Sequence, residues 1–233
     1  MLNNVIVIIP ARGGSKRIKN KNIRLLGKKP LISYSIQTGL ALGLKTYVST
    51  DSKEIADISK KLGAQVINRP AEFAKDDSLD IEWLTHALSE ITYPTPGTGV
   101  MMLRPTTPFR DIKLITAGVT NFKDNSTSLK SVEPLNEAAE KLLHIREDYK
   151  EEGYLESLNG IIDLSACLLP NQSYRTSYKA NGYLDIVRPY FILERKTVYG
   201  FNCQAFITNP VVEIDSLEDF EYAEYYGRKY GYI

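Results

Sequence analysis

Short apolar runs alternate with amphipathic segments through the first half of this chain. Residues 5–10 (VIVIIP) are continuously apolar and rich in Val and Ile, which is typical of a strand buried on both faces. Further strands are predicted at residues 46–50, 65–68 and 99–103, and helices at residues 30–42, 52–62, 79–91 and 112–122. This alternation predicts an α/β fold with three layers, α/β/α, around a mostly parallel, Rossmann-like sheet. Ligands of such sheets bind beyond the carboxyl ends of the strands.

The second half of the chain is less regular. Strands are predicted at residues 182–187 and 204–208, a further strand is compatible with 126–132, and a closing helix is predicted at 216–226. Residues 134–180 are polar, with weak periodicity, and predict no regular element. We therefore expect a single domain over residues 1–233 with a less regular insertion at about 134–180.

Composition excludes several classes of protein. The formal net charge is +1, so the chain as a whole lacks the basic character of a nucleic-acid-binding protein. The first residues carry only about five consecutive apolar residues and no basic start, whereas a secretory signal needs about 7–15. No stretch approaches the roughly 18 apolar residues of a membrane span. We expect a soluble, cytoplasmic protein that has neither a nucleic acid nor a membrane as its partner.

A basic, glycine-containing loop directly follows the first predicted strand. Residues 11–22 (ARGGSKRIKNKN) contain two glycines and five basic side chains. Backbone N–H groups and cations at the carboxyl end of a strand are suited to binding a polyphosphate. The loop matches neither G-x-x-x-x-G-K-[ST] nor G-x-G-x-x-G, which disfavours an ordinary P-loop and a dinucleotide site. The alternative is a solvated basic loop around a tight turn.

Sequence blocks in order along the chain resemble the CMP-sialic acid synthetases, or acylneuraminate cytidylyltransferases. They are IPARGGSKRIKNKNI at 9–23, STD at 49–51, RPAE at 69–72, LRPTTPFR at 103–110, NG at 181–182 and EIDS at 213–216. The resemblance implies a nucleotidyltransferase-type fold with a small dimerisation lobe. It also implies a homodimer in which residues 134–180 reach the partner's site. The implied reaction transfers CMP from CTP to an acidic nine-carbon sugar and releases pyrophosphate.

The resemblance also implies which residues bind the nucleotide. The triphosphate would be held by Arg12 and Lys21, which are the implied catalytic cations. Other implied nucleotide-binding residues in the first loop are Ala11, Gly14, Ser15, Lys16 and Asn22. Arg69 would read the cytosine edge, and Asp76, Ser78 and Asp80 would contact the base or ribose. The alternatives are a surface ion pair for Arg69 and, for Asp80, a carboxylate favoured by a helix N-terminus.

A metal site is implied at Glu213-Ile214-Asp215, where the family carries two acidic residues separated by one. In an extended segment, alternation places both carboxylates on one face and Ile214 on the other. Such oxygen ligands, with water and phosphate, suit Mg²⁺, and Mn²⁺ is an alternative ion. Asp215, the third implied catalytic residue, is the primary ligand, and Glu213 is the second. The other interpretation is a polar strand face that leads into a capped helix.

The sugar side departs from the family pattern. The implied sugar-binding residues are Arg104, Gln172, Lys179 and Asn181. Arg104 stands where the family usually carries Gln, and Asn171 stands where it carries Arg. Arg104 is suited either to a bidentate contact with a sugar carboxylate or to a structural ion pair. The alternatives are therefore a related enzyme acting on an eight-carbon acidic sugar or a sugar or polyol phosphate, and a non-catalytic nucleotide-binding protein on the same scaffold.

Overall fold

A seven-stranded mixed sheet forms the centre of the protein in a computed structural model that describes residues 4–91, 98–158, 160 and 162–233. The strands are β1 (Val5–Pro10), β2 (Leu25–Leu26), β3 (Lys29–Pro30), β4 (Thr46–Thr50), β5 (Gln65–Asn68), β6 (Gly99–Met102), β7 (Ser128–Pro134), β8 (Leu143–Ile145), β9 (Leu155–Ser157), β10 (Tyr178–Val187) and β11 (Cys203–Ile207). The central sheet has the order β11-β7-β10-β6-β1-β4-β5. Two small antiparallel pairs, β2 with β3 and β8 with β9, lie outside it.

Helices cover both faces of the sheet. They are α1 (Leu31–Ala41), α2 (Lys53–Lys61), α3 (Asp80–Ser89), α4 (Ile112–Thr120), α5 (Pro189–Leu193) and α6 (Leu217–Tyr230). Helix α2 begins at an N-cap serine, Ser52, whose hydroxyl accepts from the N–H of Ile55, and α6 begins with a capping box between Ser216 and Asp219. The fold class predicted from the alternation is confirmed: helices flank a central, mostly parallel sheet.

Alternate side chains of β1 point to opposite faces of the sheet, and this explains why helices pack on both faces to give three layers. Val7 and Ile9 belong to the apolar core shared with α1, α2 and α4, whereas Ile6 and Ile8 belong to the core under α3 and α5. All four side chains are buried. Both faces of this central strand therefore exclude polar groups, which leaves the carboxyl edge of the sheet for chemistry.

The direction of strand β10 in the sheet was not predicted from the local sequence pattern. It runs antiparallel to both of its neighbours, β6 and β7, while β11 runs parallel to β7. It also begins at Tyr178, four residues before the predicted strand. Helix α5 and the small pairs β2–β3 and β8–β9 were not predicted. The segment between β7 and β10, where no regular element was predicted, contains β8, β9 and short 3₁₀ turns.

None of the helices in the described residues is both long and apolar enough to cross a bilayer.

A close contact between α4 and the sheet generates a stability prediction. A Cβ on Gly118 would lie 2.4 Å from Cδ2 of Leu184 and 3.2 Å from the Phe206 ring. Gly118→Ala should therefore destabilise the protein by about 1–3 kcal/mol through overpacking, although Ala is favoured over Gly in a helix by about 1 kcal/mol. Urea unfolding measures the difference. Lys113→Ala, at an exposed position of the same helix, should stay within about 0.5 kcal/mol, and a stabilised Gly118→Ala would contradict the packing.

Candidate active site

A cavity of about 630 Å³ opens where the carboxyl ends of β1, β5 and β6 meet. Most of the residues predicted from the first loop, the RPAE region and the acid-x-acid segment line it. They are Arg12, Ser15, Lys16, Lys21, Asn22, Arg69, Asp76, Ser78, Asp80, Arg104 and Asp215. The fold thus assembles in one cavity residues that are separated by up to about two hundred positions in the chain.

The first loop is anchored by a polar side chain of its own, Asn22, and by Asp51, which follows β4. Asn22 is buried and donates to the carbonyl of Arg12 at 3.0 Å, and the N–H of Gly13 donates to the carboxylate of Asp51 at 2.8 Å. Ala11 is buried directly after β1, and the N–H of Ser15 donates to the carbonyl of Gly13 at 3.0 Å. Open space surrounds the position of a Cβ on Gly14. These contacts fix the path of the backbone, and the cavity is lined by four basic side chains of the loop: Arg12, Lys16, Arg17 and Lys21.

Asp76 lies between two of these cations. Its carboxylate pairs with the guanidinium of Arg12 at 2.8 Å and with the ammonium of Lys16. The hydrogen bond from Lys16, together with the charges of Lys16 and Arg12, lowers the pKa of Asp76. Ser78 shapes the same loop by donating to the carbonyl of Glu72 and accepting from the N–H of Lys75. Asp76 therefore holds the position that an anionic ligand of Arg12 and Lys16 would take.

Lys21 joins the first loop to the acid-x-acid segment. Its ammonium donates to the carbonyl of Ile214 at 3.0 Å and lies 3.3 Å from Oδ1 of Asp215. Ile214 is fully buried, as the alternation predicts, and its N–H donates to the carbonyl of Thr106 at 2.8 Å. The two candidate metal ligands therefore flank a core residue that is tied to the loop after β6.

The pair Glu213 and Asp215 fits a hard divalent cation. Partial desolvation raises the pKa of Glu213, although the residue is exposed overall, and the negative charge of Asp215 raises this pKa further. A cation bound beside Glu213 would offset this cost of ionising its carboxyl group. Asp215 lines the cavity, whereas Glu213 lies beside Gly182, where an added Cβ would be 3.8 Å from its Oε1. Within the described residues no group of three or more His, Cys, Asp and Glu side chains forms a metal site, so the remaining ligands would be water and phosphate oxygens.

Arg69 is held rigidly in the cavity wall. Its Nε donates to Oγ of Ser49 at 3.1 Å, one terminal nitrogen donates to the Ser49 carbonyl at 2.9 Å, and the guanidinium lies 5.1 Å from the centre of the Trp83 ring. Burial lowers the pKa of Arg69 to about 10, so the side chain is still cationic at neutral pH. A fixed planar fork of this kind is suited to reading the edge of a base.

Arg104 and Asp80 form a bidentate ion pair across the cavity. The nitrogen–oxygen distances are 2.5 and 3.4 Å, and the indole N–H of Trp83 donates to the same carboxylate at 2.9 Å. Burial alone would raise the pKa of Asp80, but the charge and hydrogen bonds of Arg104 outweigh it and lower this pKa. Asp80 is also the first residue of α3, which favours a carboxylate. The ion-pair interpretation of Arg104 is therefore present in the structure, at the wall of the cavity.

The other predicted sugar-side residues lie away from the lining of this cavity. Asn181 is buried and donates both amide hydrogens, to Glu133 at 3.0 Å and to Thr208 at 2.7 Å. Lys179 pairs with Glu133 at 3.1 Å, and Gln172 is exposed in a short 3₁₀ turn. The side chain of Asn171 falls outside the described part of the chain. The structure thus gives Asn181 a role in holding β10, and direct sugar contact by these residues stays a prediction.

Two residues position the loops of the cavity, and the sequence motifs that contain them predict no role for either. Asp51 holds Gly13, and the buried Arg110 donates to the carbonyls of Arg104, Gly182 and Tyr183. Arg110 thereby fastens the loop after β6 to the start of the buried part of β10. Their presence inside the STD and LRPTTPFR blocks was the available signal, but the contacts themselves span 38 and about 70 residues.

Comparison with known proteins agrees with this geometry. A family model described as cytidylyltransferase matches residues 6–228. The chain is 31% identical over 229 residues to N-acylneuraminate cytidylyltransferase of Escherichia coli, covering 96% of this chain and 52% of that protein, so it spans about half the length of that relative. It is 30% identical over 230 residues to CMP-N,N'-diacetyllegionaminic acid synthase of Legionella pneumophila, covering 94% of each chain.

Solved structures share the fold. The structure of CMP:2-keto-3-deoxy-manno-octonic acid synthetase complexed with CTP has a TM-score of 0.70 at 15% identity, covering 97% of this chain and 98% of that one. A 4-diphosphocytidyl-2C-methyl-D-erythritol synthase from Anaerococcus prevotii has a TM-score of 0.66 at 13% identity, covering 96% of this chain and 98% of that one. On the match over nearly its whole length, this chain belongs to the cytidylyltransferase family, in the group of the CMP-sialic acid synthetases.

Proposed function

We propose that this protein transfers CMP from CTP to an acidic nine-carbon sugar and releases pyrophosphate. The observation that carries the proposal is the assembly of Arg12, Lys16, Lys21 and Arg104 with the carboxylate of Asp215 in one cavity. Three of these cations come from the first loop, as a triphosphate site requires, and the fourth lies apart from them on the loop after β6. The names of the relatives support a nonulosonic acid as the acceptor.

The chemistry is an in-line displacement at phosphorus. A sugar hydroxyl gives its proton to water and forms a bond to the α-phosphorus, while the bond from that phosphorus to the oxygen bridging to the β-phosphate breaks and its electron pair leaves with pyrophosphate. Arg12 and Lys21 neutralise the charge that grows on the leaving group. Arg69 orients the base, and Arg104 orients the acidic sugar. A Mg²⁺ ion held by Asp215 and Glu213 would polarise the phosphoryl oxygens; Mn²⁺ is the alternative.

The mature assembly is proposed to be a cytoplasmic homodimer in which the segment between β7 and β10 meets the partner. Large apolar side chains are exposed along this segment, including Leu143, Ile145, Leu155, Leu168 and Leu169. Apolar side chains grouped on a surface favour association with another protein. Light scattering on the purified chain measures the molar mass, and 26.3 kDa would contradict the dimer.

The function is tested by pyrophosphate release from purified protein with Mg²⁺ and CTP. The acceptors are N-acetylneuraminic acid, N,N'-diacetyllegionaminic acid, pseudaminic acid and the eight-carbon 2-keto-3-deoxy-manno-octonic acid. Release that needs both CTP and a nine-carbon acid, with ATP and GTP inactive, is the expected result. Preference for the eight-carbon acid would favour the alternative enzyme, and CTP binding without release would favour a non-catalytic protein.

Asp215 provides a first mutational test. Asp215→Ala should lower kcat at least about 10²-fold while the melting temperature stays close to that of the parent, because the lost carboxylate positions Lys21 and is the primary metal ligand in the proposal. Glu218→Ala removes an exposed carboxylate three residues away and should leave kcat unchanged. Full activity in Asp215→Ala would remove this residue from the mechanism.

Asp76 provides a second test, which separates two roles. If its carboxylate only neutralises Arg12 and Lys16 before the nucleotide arrives, Asp76→Asn should tighten CTP binding about two- to fivefold, since two exposed ion pairs no longer compete. Calorimetric titration with CTP measures the Kd. Asp77→Asn, at the exposed neighbouring position, is the matched control and should change little. Weaker binding by Asp76→Asn alone would instead show that Asp76 contacts the nucleotide.

A further inference from the structure

The single tryptophan of the chain links the two arginines that the proposed function assigns to the base and to the sugar acid. Trp83 belongs to α3, is 3% exposed and lies outside the sequence blocks that resemble the family. The Arg69 guanidinium lies over its ring, 5.1 Å from the centre, and its indole N–H donates to Oδ1 of Asp80 at 2.9 Å. One side chain therefore contacts Arg69 directly and reaches Arg104 through Asp80.

The direction of the Arg104 side chain depends on Asp80. Among the described residues, Asp80 is the one hydrogen-bonding partner of the guanidinium, with nitrogen–oxygen distances of 2.5 and 3.4 Å. The Arg104 backbone is fixed separately, because its carbonyl accepts from the Ser35 hydroxyl at 3.3 Å and from Arg110 at 2.9 Å. Asp80 therefore determines where the guanidinium points from a backbone that other contacts already hold.

Asp80 is in turn oriented by Trp83. Its Oδ1 accepts from the indole N–H at 2.9 Å, whereas the contact of the same oxygen with Arg104 is longer, at 3.4 Å. Residues three apart lie on the same side of a helix, so Trp83 approaches Asp80 from the next turn of α3. Glu82 fixes the start of this helix by accepting from the N–H of Leu79 at 2.8 Å. The helix thus presents a carboxylate that is oriented by a donor of the same helix.

We infer that Trp83 is a positioning residue for the sugar acid: its indole N–H fixes Asp80, and Asp80 directs Arg104 toward the carboxylate of the sugar. The inference rests on the proposed function. Asp80 occupies two of the five N–H groups of the guanidinium, and a second carboxylate also binds best through two. Arg104 lines the cavity with 28% of its side chain exposed, so its remaining N–H groups serve the ligand only in the orientation that Asp80 sets.

Removal of the indole N–H alone tests this role. Because Trp83 is the only tryptophan, expression with benzothienylalanine in place of tryptophan changes this position alone, and sulfur replaces the N–H group while the rings remain. We expect kcat/KM for the best nine-carbon acid to fall about 3–30-fold. The Kd for CTP, measured by calorimetric titration, should change less than about twofold, because the ring contact with Arg69 is kept.

The carboxamide of the same sugar distinguishes positioning from general loosening of the site. It lacks the charged carboxylate that Arg104 binds in the proposal, so the parent enzyme should prefer the acid. In the benzothienyl enzyme this preference should shrink by the factor that the acid loses, whereas a merely structural effect would lower kcat/KM equally for both acceptors.

Ser49→Ala is the control on the nucleotide side. It removes the hydroxyl that accepts from Nε of Arg69 at 3.1 Å and leaves Trp83, Asp80 and Arg104 in place. The Kd for CTP should rise about 3–10-fold, while the preference for the acid over its carboxamide persists.

The fluorescence of the single tryptophan provides a measurement on the unmodified protein. Emission should change when α,β-methylene CTP binds, and again when the sugar acid is added, with a smaller second change for the carboxamide. If the benzothienyl protein does not fold, Trp83→Phe is assayed in its place. Unchanged kcat/KM, equal losses for the acid and its carboxamide, or emission that ignores the sugar acid would overturn the inference alone. A parent enzyme that binds CTP but turns over no sugar acid would overturn the proposed function as well.

Discussion

Strand β1 carries apolar side chains on both faces, and its burial dictates where polar chemistry can occur. With Ile6 and Ile8 on one side and Val7 and Ile9 on the other, neither face of β1 has room for a charged group. The chain that leaves this strand must turn at the carboxyl edge, where Asp51 and Asn22 anchor the loop. The cations of that loop are thus carried by a backbone whose position is set by the hydrophobic core.

Four cations of the cavity are already paired with carboxylates in this structure. Arg12 and Lys16 meet Asp76, Lys21 meets Asp215, and Arg104 meets Asp80. A concentration of uncompensated positive charge would repel itself and hold the side chains apart. Pairing keeps these side chains at the cavity wall, and the pairs of Asp76 with Arg12 and Lys16 are exposed enough to be weak and therefore exchangeable for an anionic ligand. The same ion pairs therefore hold the cations in place before a ligand binds and can be replaced by contacts with that ligand.

The first half of the fold could be predicted from sequence because its signals are local. Burial on both faces, helix caps and terminal glycines all lie within the elements that they specify, and the bounds of β1, β4 and β5 agree with the prediction. The direction of β10 could not be predicted in this way, since it depends on pairing with β6 and β7, which are far away in the chain. The role of Arg110 has the same origin: the residue type was visible in the sequence, but its partners were set by tertiary structure.

The contrast between locally specified features and features set by distant contacts also applies to the two sides of the cavity. The proposed nucleotide half is built by loops that follow parallel strands, and there the sequence agrees with the family pattern. The proposed sugar side begins at Arg104, on the loop after β6, and both Arg104 and Asn171 depart from the family pattern. Arg104 lies on the boundary: Asp80 holds it from the nucleotide side, and Asp185 acts on it from the sheet. Because β10 is fastened by Arg110 and Asn181 through contacts within the protein, its position does not depend on the loops that carry the proposed nucleotide site.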